Sequence, residues 1–290
     1  MKRKLIILLI FMIAVLSAED YFTEHYDIPY KGEEELDVNI SFGLGTLDLK
    51  SHDDPKYLVH SIMTYSQRIY KPIVDYKILG NRGRLKMSTE KYDESNKNDK
   101  RNLKSSQVNK ELNKWHLEFS QKIPIYFAVD LGLGEGRLDF TDLRVRDLKL
   151  HCGLSDVNVI FRDKNQDNMR NMVIETGLGS VNVKGLSYAN MERFNVECGL
   201  GTTELVFDGS LSQDIRGKIE VGLGSVIIEV PDNVAVEVRS QSSFLSSLNL
   251  HGFDRISENL YRSGNWETAN KRIYLEIEVG LGSVDINWLD

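Results

Sequence analysis

One short phrase recurs along this chain. It reads VGLGSVDI at Val279–Ile286, VGLGSVII at Val221–Ile228 and TGLGSVNV at Thr176–Val183. A phosphate-binding loop is needed once, whereas a structural corner is needed once per turn of a repeating fold. With the first glycine of each copy as position zero, the zeros fall at Gly43, Gly132, Gly153, Gly177, Gly199, Gly222 and Gly280, with a degenerate copy at Ser243. Successive spacings are 89, 21, 24, 22, 23, 21 and 37, so the core period is 21 to 24 residues with two long insertions.

The columns are regular. Leucine follows the first glycine as Leu44, Leu133, Leu154, Leu178, Leu200, Leu223 and Leu281, with Leu245 in the degenerate copy. Position −3 is apolar (Ile40, Val129, Leu150, Ile174, Val196, Ile219, Ile277), and position −2 is polar (Ser41, Asp130, His151, Glu175, Glu197, Glu220, Glu278). Position +6 is apolar again, from Leu49 to Ile286. Alternation at period two on both sides of the motif predicts strand, sharp bend, strand, each strand with one buried face. Glycine suits the bend because it reaches positive φ, and the leucine is expected to tuck into the core at every corner. A single copy cannot bury its own apolar face, so copies must stack. The pattern predicts an all-β stacked repeat, β-solenoid-like with Gly-Leu-Gly corners. A sandwich would not require a fixed corner phrase.

The organisation follows. Residues 1–18 carry Lys2, Arg3 and Lys4, an apolar run Leu5–Leu16, then Ser17 and Ala18. This is the pattern of a secretory signal peptide. The run is short for a membrane span, which needs about 20 residues, and an uncleaved anchor is the alternative. Residues 19–128 form an N-terminal β region. It has strands at Tyr57–Gln67 and Ile73–Leu79, a turn at Gly80–Gly83, a strand at Arg84–Thr89 and a polar loop over 92–113. Residues 129–290 form the β-repeat region, with an insertion at 251–271 expected to cover the last rung.

Residues 1–18 hold three of the 36 basic residues and none of the 43 acidic ones, so the remainder carries a formal charge of −10. That argues against nucleic acid as a partner. It leaves an envelope protein or a glycan, with self-association through exposed rung edges also open. After signal cleavage the chain is not expected to be an integral membrane protein, and it would work outside the cytoplasm, in the periplasm or at the cell surface.

Chemistry is sparse in the sequence. Gly-Leu-Gly-Ser is followed by a second strand, not the helix that a phosphate loop needs, so no cofactor site is expected. The six histidines have no pair at metal-ligand spacing, and no nucleophile triad stands out. No catalytic, cofactor-binding or metal residue is therefore assigned. The acidic column Glu175, Glu197, Glu220 and Glu278 would place like charges on adjacent rungs, which Ca²⁺ would relieve. The glycine-rich nonapeptide of calcium β-rolls is absent, which favours a solvated acidic face. Cys152 and Cys198 share position −1, two rungs apart. That is about 9.5 Å, beyond disulfide reach, so two free buried thiols are expected.

Asn113–Phe119 is followed by Ile123-Pro124, then by Gly132–Glu135 and Leu138-Asp139-Phe140, and the C-terminal part carries Gly252-Phe253, Tyr261–Ser263 and Ile277–Val284. These runs resemble the bacterial toast-rack proteins, related to the putative-adhesin and LiaF-type cell-envelope domains. The likeness covers nearly the whole chain after the signal. It implies a stacked all-β fold outside the cytoplasm with no family active site to carry over. LiaF-type members have transmembrane helices before this domain, whereas here only the short apolar run precedes it. The expected function is that of an exported, non-enzymatic β-repeat protein of the cell envelope, an adhesin or structural interaction module. The alternatives are an envelope-stress regulatory domain that binds a membrane protein, and a glycan-active enzyme on a β-solenoid.

Overall fold

The computed structural model describes residues 21–66, 70–91, 113–242 and 247–289, and all of its regular structure in these residues is β. The strands are β1 (Tyr21–His25), β2 (Ile28–Pro29), β3 (Glu35–His52), β4 (Tyr57–Ser66), β5 (Tyr70–Leu79), β6 (Arg82–Lys91) and β7 (Asn113–Ser120). Next come β8 (Ile125–Asp139), β9 (Val145–Ile160), β10 (Met169–Thr176), β11 (Ser180–Lys184), β12 (Met191–Cys198), β13 (Thr202–Val206) and β14 (Ile215–Val221). The chain ends with β15 (Ser225–Pro231), β16 (Val234–Ser242), β17 (Ser247–Leu250), β18 (Phe253–Ser257), β19 (Leu260–Ser263), β20 (Lys271–Val279) and β21 (Ser283–Leu289). The signal-peptide reading at 1–18 lies outside the described residues. So do Gln67, positions 92–112 of the polar loop, and Ser243 and Leu245 of the degenerate copy.

Each repeat copy is one rung that runs through two layers. The segment before the corner joins a first layer, in the order β9, β10, β12, β14, β20, all parallel. The segment after the corner joins a second, in the order β9, β11, β13, β15, β21. The long strands β3, β8 and β9 pass through the corner and belong to both layers. Positions −3 and −1 point inward from the first layer and +4 and +6 from the second, for example Ile174, Thr176, Val181 and Val183. Between the layers, Phe42 meets Trp115 edge-on at 5.1 Å and Phe194 meets Phe207 at 5.8 Å. Thr176 and Thr203 share a buried hydroxyl contact of 3.0 Å across the same gap. The stacked all-β repeat expected from the alternation is the fold.

The order of rungs is not the order of the sequence. β20 lies between β14 and β16, and β21 between β15 and β17. The C-terminal copy is therefore inserted beneath the copy that precedes it in the chain. The long final spacing supplies the excursion. Part of it forms the hairpin β18–β19, whose β19 pairs antiparallel with the far side of β16. The insertion thus extends the first layer past the last rung. The register also corrects the degenerate copy: Leu250 pairs with Ile286, so its zero is Phe244, not Ser243.

At the other end, β4 pairs antiparallel with β7 and with β1, and β5 and β6 form a hairpin on β3. The hairpin turn is tighter than the sequence suggests. Leu79 pairs with Arg82, so only Gly80 (φ 68°) and Asn81 turn the chain. Asn113 belongs to β7, not to the polar loop; it is buried and donates from Nδ2 to the Leu44 carbonyl at 2.8 Å.

Candidate functional site: the corner ridge and its acidic flank

The corner residues carry the main departure from expectation. Leu44 alone among the described corner leucines is buried, at 5% exposure. Leu133 is 37% exposed, and Leu154, Leu178, Leu200, Leu223 and Leu281 are 53–57% exposed. The physical reason is a change of parity. Inward positions are odd before the corner (−3, −1) and even after it (+4, +6), so the bend absorbs one residue. Positions 0 and +1 lie on its outer side, and a side chain there points away from both layers.

The leucines are held in one line. The amide of Leu178 donates to the Gly153 carbonyl (2.9 Å), Leu200 to Gly177, Leu223 to Gly199 and Leu281 to Gly222 (2.8 Å each). Leu133 pairs in register with Leu154. The glycines exist for the same contact. A Cβ on Gly179 would lie 1.9 Å from the Ser155 carbonyl oxygen, and one on Gly201 2.2 Å from that of Gly179. Positive φ, the reason expected from sequence, applies at the corners only to Gly45 and Gly134. In the later rungs the requirement is close approach of one backbone to the next.

Beside the ridge runs a trough of about 1280 Å³. It is lined by the zero glycines, by the −1 residues from Leu131 to Val279, and by the −2 column, Asp130, His151, Glu175, Glu197, Glu220 and Glu278. These residues are register partners on successive rungs. Ser240, Gln241 and Asn259 line its far end. The acidic column inferred from sequence is therefore assembled as a column. A histidine and a lysine offset the charge of the column. His151 bridges its neighbours, with Nδ1 3.2 Å from Asp130 Oδ1 and Nε2 against Glu175 Oε2. Lys218 pairs with Glu220 and lies 4.0 Å from Glu278. Among the described residues no group of three or more His, Cys, Asp or Glu side chains is arranged to hold a metal ion. They include no helix long and apolar enough to cross a membrane.

His52, His60 and His116 stand apart from the ridge. His60 contacts Asp27 at 2.8 Å, its ring lies tilted 4.6 Å from that of His52, and His116 contacts Asp48 at 3.0 Å. Cys152 and Cys198 are free and buried, with Thr176 on the rung between them. Burial pushes the Cys152 thiol up to about 12 and raises that of Cys198, which disfavours the thiolate at both.

His151 gives a pH-dependent prediction. Its hydrogen bond to Glu175, with further help from Asp130, holds the imidazolium above the ordinary histidine value despite some desolvation. A raised folded-state pKa contributes stability that is fully present below the unfolded value. It is lost as pH rises through the folded value. The His151→Gln variant should therefore melt below the parent at pH 5.5, and the difference should close by pH 9. Paired thermal scans at the two pH values test this, and a gap that widens with pH would refute it.

Residues 17–184 match the family described as the N-terminal domain of toast_rack, DUF2154. No curated protein matches the chain. Among solved structures, a putative cell adhesion protein from Clostridium sporogenes is 20% identical over 93% of this chain and 100% of that one, with a TM-score of 0.45. A putative adhesin from Bacteroides fragilis is 12% identical over 93% and 98%, with a TM-score of 0.39. A putative adhesin from Parabacteroides distasonis is 12% identical over 93% and 98%, with a TM-score of 0.38.

Proposed function

The chain belongs to the toast-rack family, and from that premise we propose that it is an exported, non-enzymatic interaction module of the bacterial cell envelope, adhesive in character. The observation that carries this reading is the row of exposed leucines. A stack that needed only to fold would gain nothing from apolar side chains on the outside of its corners, and large contiguous apolar patches mark interaction sites. Export is supported by the basic and apolar pattern of residues 1–18, and the acidic surface suits a protein or glycan partner better than nucleic acid. The stack supplies rigidity: every rung is hydrogen-bonded to the next, so the surface is preorganised and loses little entropy on binding.

The test is cell fractionation combined with crosslinking in living cells. The expected result is a processed chain in the envelope or outside the cell, crosslinked to a protein or glycan of the surface. Retention in the cytoplasm would overturn the reading. So would glycan turnover by the purified chain that disappears on replacing a single carboxylate.

A further inference from the structure

Single exposed leucines are ordinary on protein surfaces and call for no account. Six in line are a different matter. Leu133, Leu154, Leu178, Leu200, Leu223 and Leu281 stand on successive rungs, each 37% exposed or more. At about 4.8 Å per rung the ridge is about 24 Å long. The outward columns on its two sides are −2 and +3. Together they present seven carboxylates: Asp130, Glu175, Glu197, Glu220 and Glu278 on one side, Glu135 and Asp156 on the other. His151 is their one basic member and lies against Asp130 and Glu175, while Lys218 pairs with Glu220 and Arg137 lies 3.5 Å from Glu135.

We infer that this ridge is the docking surface for a basic amphipathic helix of a partner protein. The helix lays its apolar stripe along the leucines and its Lys and Arg side chains over the flanking carboxylates. The inference rests on the proposed interaction role and names the class of partner. Charge complementarity selects a basic partner. It disfavours a second copy, which would bring another acidic flank to the same seam, and an anionic bilayer for the same reason. Spacing selects a helix. One helical turn rises 5.4 Å, within about 0.6 Å of the rung spacing, so one apolar residue per turn stays nearly in step. Same-face residues of an extended strand repeat at about 6.7 Å and lose step by about 2 Å per rung. About 16 helical residues span the ridge. The zero column adds the last element. Because it is glycine, that column puts no side chain between the leucines and the −2 carboxylates, and the trough leaves room for the long stems of Lys or Arg to reach them.

The test uses three synthetic 18-residue peptides and the full chain purified as the cell processes it. One peptide is an amphipathic helix of Leu and Lys, one has the same composition in scrambled order, and one replaces Lys by Glu. Binding is followed by fluorescence anisotropy. The amphipathic Leu/Lys peptide should bind at least about tenfold more tightly than the scrambled one, and the Leu/Glu peptide should not bind. The triple variant Leu178→Ser, Leu200→Ser, Leu223→Ser should weaken binding by about tenfold or more at an unchanged melting temperature. The pair Glu197→Gln, Glu278→Gln should weaken it several-fold at low salt, with the difference gone near 1 M salt. Equal binding of ordered and scrambled peptides, or binding indifferent to the triple variant, would overturn the inference. A dimer dissociated by the triple variant would also overturn it, in favour of a second copy. Vesicle binding abolished by that variant would overturn it in favour of a lipid surface. Envelope crosslinks that persist in the triple variant would remove the ridge and leave the interaction role standing.

Discussion

Adding one methyl group at Gly179 is expected to cost about 3 kcal/mol and lower the melting temperature by roughly 10 °C. The new Cβ of Gly179→Ala would lie 1.9 Å from the Ser155 carbonyl oxygen and 2.7 Å from the Ser155 amide nitrogen. Both are backbone atoms, so no side chain can swing aside. The rungs themselves must part, and parting them strains the ladder that runs through this corner. In that ladder the Thr202 amide donates to Gly179 at 3.1 Å and the Ser225 amide to Gly201 at 3.0 Å. Gly199→Ala is the internal control. Its Cβ would lie 3.2 Å from the Gly177 carbonyl oxygen, a contact relieved by a shift of a few tenths of an ångström, so its cost should be clearly smaller. Thermal scans of the two variants decide the matter. Equal effects would mean that the +2 glycine serves bend conformation alone and not the approach of one rung to the next.

The stack was legible because its signal is redundant. Seven glycine-bearing copies state the same alternation, and the −3, −2 and +6 columns align in the structure as they do in the sequence. The acidic column and the two-rung separation of Cys152 and Cys198 follow from that register with no further assumption. Two things were not legible. The insertion of β20–β21 between β14–β15 and β16–β17 is a topological choice, and local alternation is blind to which rung is its neighbour. The only hint is that the copies at Gly222 and Gly280 share the phrase VGLGSV. The orientation of the corner leucine was hidden for a different reason. A residue at a bend belongs to neither strand, so period-two reasoning assigns it no side. The clue was the switch of buried positions from odd to even across the motif, which requires one residue to fall outside the count.

That switch leads to the second large effect, a contrast between two neighbouring apolar residues on one rung. Phe194→Ala should destabilise the protein by about 3–5 kcal/mol. Its ring is 1% exposed, meets Phe207 at 5.8 Å, and covers Gly217 so closely that a Cβ there would come within 2.2 Å of it. Removing the ring opens a cavity that the hydrogen-bonded strands on either side cannot collapse to fill, because β12 is fixed between β10 and β14. Leu200→Ala, six residues on, should stay within about 0.5 kcal/mol of the parent, because a side chain 55% exposed gives up little buried area. Hydrophobicity alone would rank the two as similar core positions. Denaturant titration of the two variants separates the readings. A loss of 2 kcal/mol or more for Leu200→Ala would return the leucine to the core. A neutral result leaves that side chain with no structural task, and therefore available to a partner.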